Sequence, residues 1–172
     1  MIELDRAASR DALRQTVATL AYRAAKVLRD VPPAFADYSA GPDTRKPLLI
    51  LAHMGDLMAW GTRMARGESV WKAEGGDDWD REHARFFDGL AALDAALADD
   101  AAFTGDVKQL IQGPLADAFT HVGQLALLRG MAGCPVRPES YARADIVAGR
   151  VGTDQAPPGR EFTGDASVPR TR

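Results

Sequence analysis

Two histidines and one aspartate have the residue types and spacing of a metal site. His53 lies on the apolar stripe of a predicted helix, and Asp117 and His121 are four residues apart on another. Side chains four residues apart lie one turn above the other on the same helix face. Two neutral imidazoles and a carboxylate would give a divalent cation three ligands and leave positions for water or substrate, as in catalytic sites. The alternative is a hydrogen-bonded core histidine and an intrahelical Asp–His pair without a metal.

Two further polar residues are expected to support these ligands. Gln124 follows His121 by three residues, and Asp56 follows His53 by three. Either could orient a ligand or a bound water. The alternatives are a helix interface for Gln124 and a solvated position for Asp56. His83 is predicted to lie near the other end of the molecule, beside two phenylalanines.

Apolar periodicity predicts helices through the first 133 residues. The first carries a stripe at steps of three and four and ends before Pro32. The others are expected at 47 to about 66, 79 to 98, and 114 to about 133, with a short, possibly helical piece at 107–112. No segment alternates with a period of two, so the chain is predicted to be all-α. The stripe of the first helix comprises Leu13, Val17, Leu20, Ala24 and Val27.

Four such helices pack most simply as an up-and-down four-helix bundle formed by residues 1–133. The helices carrying His53 and His121 would then run in the same direction, with both histidines about 10 Å from the same end. Residues 134–172 are rich in Pro, Gly and Arg. They are expected to form an irregular tail that packs on the bundle and frays beyond Phe162.

The composition narrows the functional classes. The 172 residues are 46% hydrophobic and carry a formal charge of −3, which does not suit a nucleic-acid-binding protein. The longest aliphatic run, 48–52, is far too short to cross a bilayer, and the charged N-terminus does not resemble a signal peptide. A single cysteine suits a reducing compartment. We therefore expect a soluble, cytoplasmic protein that acts on a small molecule.

Three long segments and a tail segment resemble the DinB/YfiT-like superfamily. The resemblance follows the order of the family's elements and covers nearly the whole chain. It implies an up-and-down four-helix bundle, commonly dimeric, with a divalent metal near one end. The segments are YSAGPDTRKPLLILAHMGDLMAWG, WDREHARFFDGLAALDAAL, GPLADAFTHVGQLALLRGMAG and, from one subgroup, ESYARADIVAGRVGTDQ.

The family's ligand positions map onto His53, Asp117 and His121. Most members have a second histidine where this chain has Asp117, whereas the related mycothiol-dependent maleylpyruvate isomerases have a carboxylate there. Direct coordination by Asp117 and coordination through water both stay open, as do zinc, nickel and iron as the metal.

The resemblance also implies a function. Characterised relatives are metal-dependent transferases and isomerases that use thiols such as bacillithiol or mycothiol. We therefore expect a thiol transferase in detoxification or stress response that forms a homodimer, with Trp71 or Trp79 at the dimer surface. The alternatives are a metal-dependent hydrolase, with Asp56 or Glu82 as base, and a non-catalytic metal-binding stress-response protein.

Four other residues have weaker claims on the site. Cys134 follows the last helix, where the dipole would raise the pKa of its thiol, so a structural role is favoured. Arg129 and Arg150 could contact an anionic thiol cofactor. Trp60 could line the cavity, although an aromatic residue at helical spacing is more often part of a core.

Overall fold

The computed structural model describes residues 6–162, and this part of the chain is helical without a single named strand. The predicted all-α class is therefore confirmed. The first five residues lie outside the described range. The part of the tail beyond Phe162, where fraying is expected, lies outside it as well. The four long helical elements are α1 (Arg6–Leu28), α2 (Pro47–Ala65), α3 (Trp79–Ala98) and α5 (Ala116–Met131), with a short α4 (Val107–Leu110) before the last.

The helix boundaries follow from local chemistry. Pro47 is the first residue of α2, where its fixed φ is suitable and no backbone donor is needed. Asp78 caps α3 by accepting a hydrogen bond from the Arg81 amide, and Asp106 caps α4 by accepting from the Lys108 amide. The inward residues of α3 are all buried, as their spacing predicts: Phe86, Leu90, Leu93 and Leu97.

The last helical element begins earlier than predicted. Instead of starting at Pro114, it begins at Val107 and continues through a π-helical turn, Ile111–Leu115, into α5. Pro114 lies inside that turn. A wider turn accommodates the residue that would otherwise break the ladder, so the proline does not mark a fresh start.

Side-chain contacts give the relative directions of the helices. On α3, Gly89 lies against Met58 and Arg85 binds Asp56, so α3 runs in the same direction as α2. Gly61 of α2 lies near Pro114, in the π-helical turn that precedes α5. Ile50 lies near Gln124, which is farther along that element, so α5 runs opposite to α2.

The expectation of strictly alternating helices is therefore wrong, and so is the expectation that the helices of His53 and His121 run in the same direction. The physical reason is the connection between α2 and α3, residues 66–78, which we call the crossover linker. Its 13 residues can extend to about 43 Å. The 19 residues of α2 span only about 28 Å, so the linker can return along α2 before α3 begins.

The tail is attached to α1 by a buried group of charges. Glu139 accepts hydrogen bonds from the Tyr22 hydroxyl at 2.7 Å and from Lys26 at 2.6 Å. Lys26 also binds Glu161, which forms an isolated bridge with Glu139. The Glu139 side chain is fully buried. These contacts explain why a segment without regular structure packs on the bundle.

No helix within residues 6–162 combines the length and the apolar character that a membrane span requires.

Candidate metal centre

The structure brings the three predicted ligands together between α2 and α5. Asp117 lies between the two histidines: its Oδ2 is 3.3 Å from His53 Nε2, and its Oδ1 is 3.3 Å from His121 Nε2. One ligand atom from each residue lies within 4.8 Å of the other two. Within residues 6–162 this is the one such group of metal-ligating side chains. The convergence arises from antiparallel helices, not from the shared direction expected above.

Gln124 orients the ring of His121. The Nδ1 atom of His121 is 2.7 Å from Gln124 Oε1. In the tautomer that donates from Nδ1 to this amide oxygen, Nε2 carries a lone pair that faces the Asp117 carboxylate, which is also an acceptor. In that tautomer, a cation between Nε2 and the carboxylate would make the arrangement favourable.

The donor set is compatible with a divalent cation. The two 3.3 Å contacts end on different oxygens of Asp117, Oδ2 toward His53 and Oδ1 toward His121. One ligand atom of each residue still lies within 4.8 Å of the other two, and imidazole nitrogen and carboxylate oxygen are both donors that Zn²⁺ and related ions accept.

The three candidate ligands differ in exposure. The side chain of His121 is 9% exposed and that of His53 is 26% exposed, whereas Asp117 is 45% exposed. The His121 ring packs edge-on against His53 with centroids 5.0 Å apart. A further ligand would approach along the Asp117 side.

Trp71 packs against His53, a contact that the sequence did not predict, and Trp60, which was expected as a possible lining residue, packs on Trp71. The Trp71 ring lies 5.4 Å from the His53 ring and 5.6 Å from the Trp60 ring, centroid to centroid. Trp71 belongs to the crossover linker, so no helical periodicity could place it. The length of the linker, which exceeds what a tight turn needs, is the feature of the sequence that could have indicated such a contact. Trp79, in contrast, packs against Phe35.

Asp56 does not contact the candidate ligands. Its Oδ1 accepts from Arg85 at 2.8 Å and from the Glu74 amide at 3.0 Å. Glu82 is fully buried and accepts from Arg85 at 2.6 Å and from the Gly76 amide at 2.9 Å. Both carboxylates are thus committed to Arg85 and the crossover linker. This arrangement does not favour either as the base of a hydrolase.

The remaining candidates lie elsewhere. His83 is not in the three-residue group, as expected, but it lies at about the level of His53 because α2 and α3 are parallel. It lines a separate 440 Å³ cavity with Trp79 and Asp80, and burial lowers the pKa of its imidazole. Arg129 is buried and donates to backbone carbonyls, including that of Val27, so it supports the fold.

Arg150 pairs with Asp145 in the tail, and Cys134 is a half-buried free thiol. Neither is among the residues that contact the candidate ligands.

Comparison with protein-family models, curated proteins and solved structures gives no match for this chain.

Proposed function

We propose that this protein binds a divalent metal through His53, Asp117 and His121 and uses it as a thiol-dependent transferase. The observation that carries the metal assignment is the convergence of three ligand atoms within 4.8 Å, with His121 Nε2 directed at the Asp117 carboxylate. The thiol assignment is supported by the resemblance to the DinB/YfiT-like superfamily.

The charge of the donor set is compatible with that chemistry. Two neutral imidazoles and one carboxylate leave a divalent ion with one net positive charge, which favours an anionic further ligand. A bound divalent cation lowers the pKa of a coordinated thiol, so that thiolate forms near neutral pH. The half-exposed Asp117 leaves a side from which such a ligand can enter. The chain's own Cys134 is not part of the site, so the reactive sulfur would come from a small thiol.

Metal analysis tests the first part of the proposal. Protein purified without a histidine tag and without added metal should carry close to one ion per chain. The His53→Ala and His121→Ala variants should lose the ion, and His83→Ala should retain it because His83 lies outside the group. Metal that is absent from the wild type, or equally present in all four proteins, would disprove the site.

Enzyme assays test the second part. Consumption of an electrophile should require both the metal and an added thiol, either bacillithiol or mycothiol. Turnover that is independent of the thiol would favour a hydrolase instead. A stoichiometric metal without turnover would favour a non-catalytic metal-binding protein. Sedimentation of the same samples tests the predicted homodimer.

A further inference from the structure

The crossover linker contacts α2 and α3 at four successive points. The carbonyl of Val70 accepts from Arg63 Nε at 2.8 Å, and Trp71 packs on Trp60 and His53. The Glu74 amide then donates to Asp56, and the Gly76 amide donates to Glu82. The linker therefore runs along α2 beside the candidate metal centre, although it has no regular secondary structure.

One arginine joins the two carboxylates that hold the linker. Arg85 donates to Asp56 at 2.8 Å and to Glu82 at 2.6 Å, and also to the Ala52 carbonyl. The Glu82 side chain is fully buried, and the Asp56 side chain is 7% exposed. We call these three side chains the Arg85 cluster. Burial alone would lower the pKa of Arg85, but the hydrogen bonds that Arg85 donates to both carboxylates outweigh it and raise that pKa.

Burying these three charges costs free energy unless each one is paired or hydrogen-bonded. Here the linker backbone supplies further hydrogen bonds to the two carboxylates. Each carboxylate accepts one linker amide in addition to the guanidinium. Buried ion pairs contribute little net stability, so their presence is better explained by the geometry that they impose. The geometry imposed here is the path of the linker three to five residues after Trp71.

Trp71 is the residue that this path places against a candidate ligand. Its ring covers one side of the His53 imidazole, and His121 covers another. The position of an imidazole ring determines whether its nitrogen is directed at a bound ion, and groups that orient ligands affect metal affinity strongly. Trp71 is itself 43% exposed, so burial in the core does not hold it in place.

We propose that Trp71 is a positioning residue for His53, and that Arg85 acts through the crossover linker to keep Trp71 there. The inference rests on the proposed function in one respect, namely that His53 binds a metal. It assigns a role to two residues that do not themselves coordinate the ion. It also gives a reason for the buried charges between α2 and α3.

Three variants disturb the linker. Arg85→Met removes the donor that joins the carboxylates. Arg85→Lys keeps the buried charge but cannot donate to both carboxylates in the same fork, and it replaces the methionine variant if that one does not fold. Gly75→Ala keeps all three side chains of the cluster but would place a Cβ 2.8 Å from that of Ala52 and 3.2 Å from Arg85 Nη2, which displaces the linker. A fourth variant, Trp71→Ala, removes the ring itself.

The matched controls replace the same residue types at positions that make none of the four linker contacts. Arg14→Met breaks a two-point ion pair with Asp94 that joins α1 to α3. Trp79→Ala removes a tryptophan that packs on Phe35. Both controls are expected to lower stability without changing the linker or the metal affinity.

The first measurement uses metal-free protein. Hydrogen exchange at the Glu74 and Gly76 amides should accelerate by about 10- to 100-fold in the Arg85 and Gly75 variants, the range for loss of a hydrogen bond to a charged group. In a Trp60→Phe/Trp79→Phe background, Trp71 is the only tryptophan and its fluorescence should become more accessible to acrylamide. Arg14→Met should change neither quantity.

The second measurement uses Co²⁺ as the probe, with its visible absorption band reporting binding. Affinity should fall by about 10- to 100-fold in Trp71→Ala, Gly75→Ala and the Arg85 variant, and should be unchanged in both controls. In the Trp71-only background, bound Co²⁺ should quench the fluorescence of Trp71. This quenching should be weaker in the variants that release the linker.

Two results would overturn the proposal. One is unchanged exchange and acrylamide accessibility in the Arg85 and Gly75 variants, because the cluster would then not hold the linker. The other is a released linker, or a missing Trp71 ring, with wild-type Co²⁺ affinity. If the wild type binds no Co²⁺, the proposed metal function fails, and the exchange and acrylamide data decide whether the cluster holds Trp71.

Discussion

At the residue scale, the candidate site depends on how Gln124 orients His121. The 2.7 Å contact between Gln124 Oε1 and His121 Nδ1 holds the ring with Nε2 toward Asp117. Without that contact, the ring would be free to rotate away from Asp117. The exposed Gln124 side chain is thus part of the site even though it cannot touch an ion bound at Nε2.

Replacing Gln124 by alanine should therefore weaken metal binding by about 10- to 100-fold, the usual effect of removing a group that orients a histidine ligand. Competition with a chelator of known affinity measures the change. Gln109→Ala, an exposed glutamine on α4, is the matched control and should bind as the wild type does. Equal affinities in the two variants would show that His121 does not need its partner.

His83 should make stability dependent on pH. Burial lowers the pKa of its imidazole in the folded protein, and the nearby Asp80 only partly opposes this. Since the unfolded chain then binds a proton more readily than the folded one, stability is full above about pH 6.5 and falls as the pH drops below it. In metal-free protein, urea unfolding at pH 7 and pH 5 should show a larger loss for the wild type than for His83→Gln. Identical losses would contradict the assignment.

The sequence indicated which three side chains come together but not their surroundings. An i,i+4 pair on one helix and a histidine on an apolar stripe are local patterns, so His53, Asp117 and His121 could be named as candidates, although the helix directions first used to bring them together were wrong. Trp71 and Arg85 could not, because their contacts depend on the path of the linker. Asp56 was expected to support the metal ligands, but its carboxylate instead accepts a hydrogen bond from Arg85 on α3.

At the element scale, α2 and α3 approach closely because glycines lie between them. A Cβ added at Gly89 would lie 2.7 Å from the Cβ of Met58, which is fixed to the backbone of α2. Neither helix can move aside for the added methyl group without displacing the elements packed against it. In contrast, a Cβ at Gly123 on α5 would have nothing within 4 Å.

These two glycines should respond oppositely to alanine. Gly89→Ala should lower the free energy of unfolding by about 1–3 kcal/mol, the cost of overpacking, despite the better helix propensity of alanine. Gly123→Ala should raise it by about 0.5–1 kcal/mol, because only propensity changes. Urea denaturation of both variants measures the difference. A stabilised Gly89→Ala variant would mean that the helices are farther apart than described.

Element boundaries could be predicted where capping and periodicity agree, as at Pro47 and Trp79. The start of the last helix could not, because a Gly-Pro pair normally ends or starts a helix and here lies in a π-helical turn. Helix directions could not be predicted from periodicity at all. The length of residues 66–78 was the relevant signal, since antiparallel neighbours need only a short loop.

At the scale of the whole molecule, the tail joins the bundle through charges as well as through apolar side chains such as Val151. Burial alone would raise the pKa of Glu139, but hydrogen bonds from Lys26 and Tyr22 outweigh it and lower that pKa. The same pairing, together with burial, raises the pKa of Tyr22. Attachment of residues 134–162 therefore depends on Glu139 remaining ionised.

Glu139→Gln should destabilise the protein at neutral pH, and the difference from the wild type should shrink in acid. The folded-state pKa is depressed, so the stabilisation is present above the unfolded value of about 4.5 and is lost as the pH falls through the folded value. Unfolding by urea at pH 7, 5 and 3 measures it. Glu68→Gln, an exposed glutamate in the linker, is the control and should show no such trend. A constant difference at all three values would exclude Glu139 as the titrating group.

The parallel arrangement of α2 and α3 also bears on the order in which the chain can fold. Helices that are adjacent in sequence usually meet first as an antiparallel hairpin closed by a short loop. Here that early step is unavailable to α2 and α3, because the linker must traverse the length of α2 before Met58 can meet Gly89. Contacts at the candidate site are more distant still, with a sequence separation of 64 between His53 and Asp117. We expect this protein to fold more slowly than a helical bundle of the same length built from hairpins.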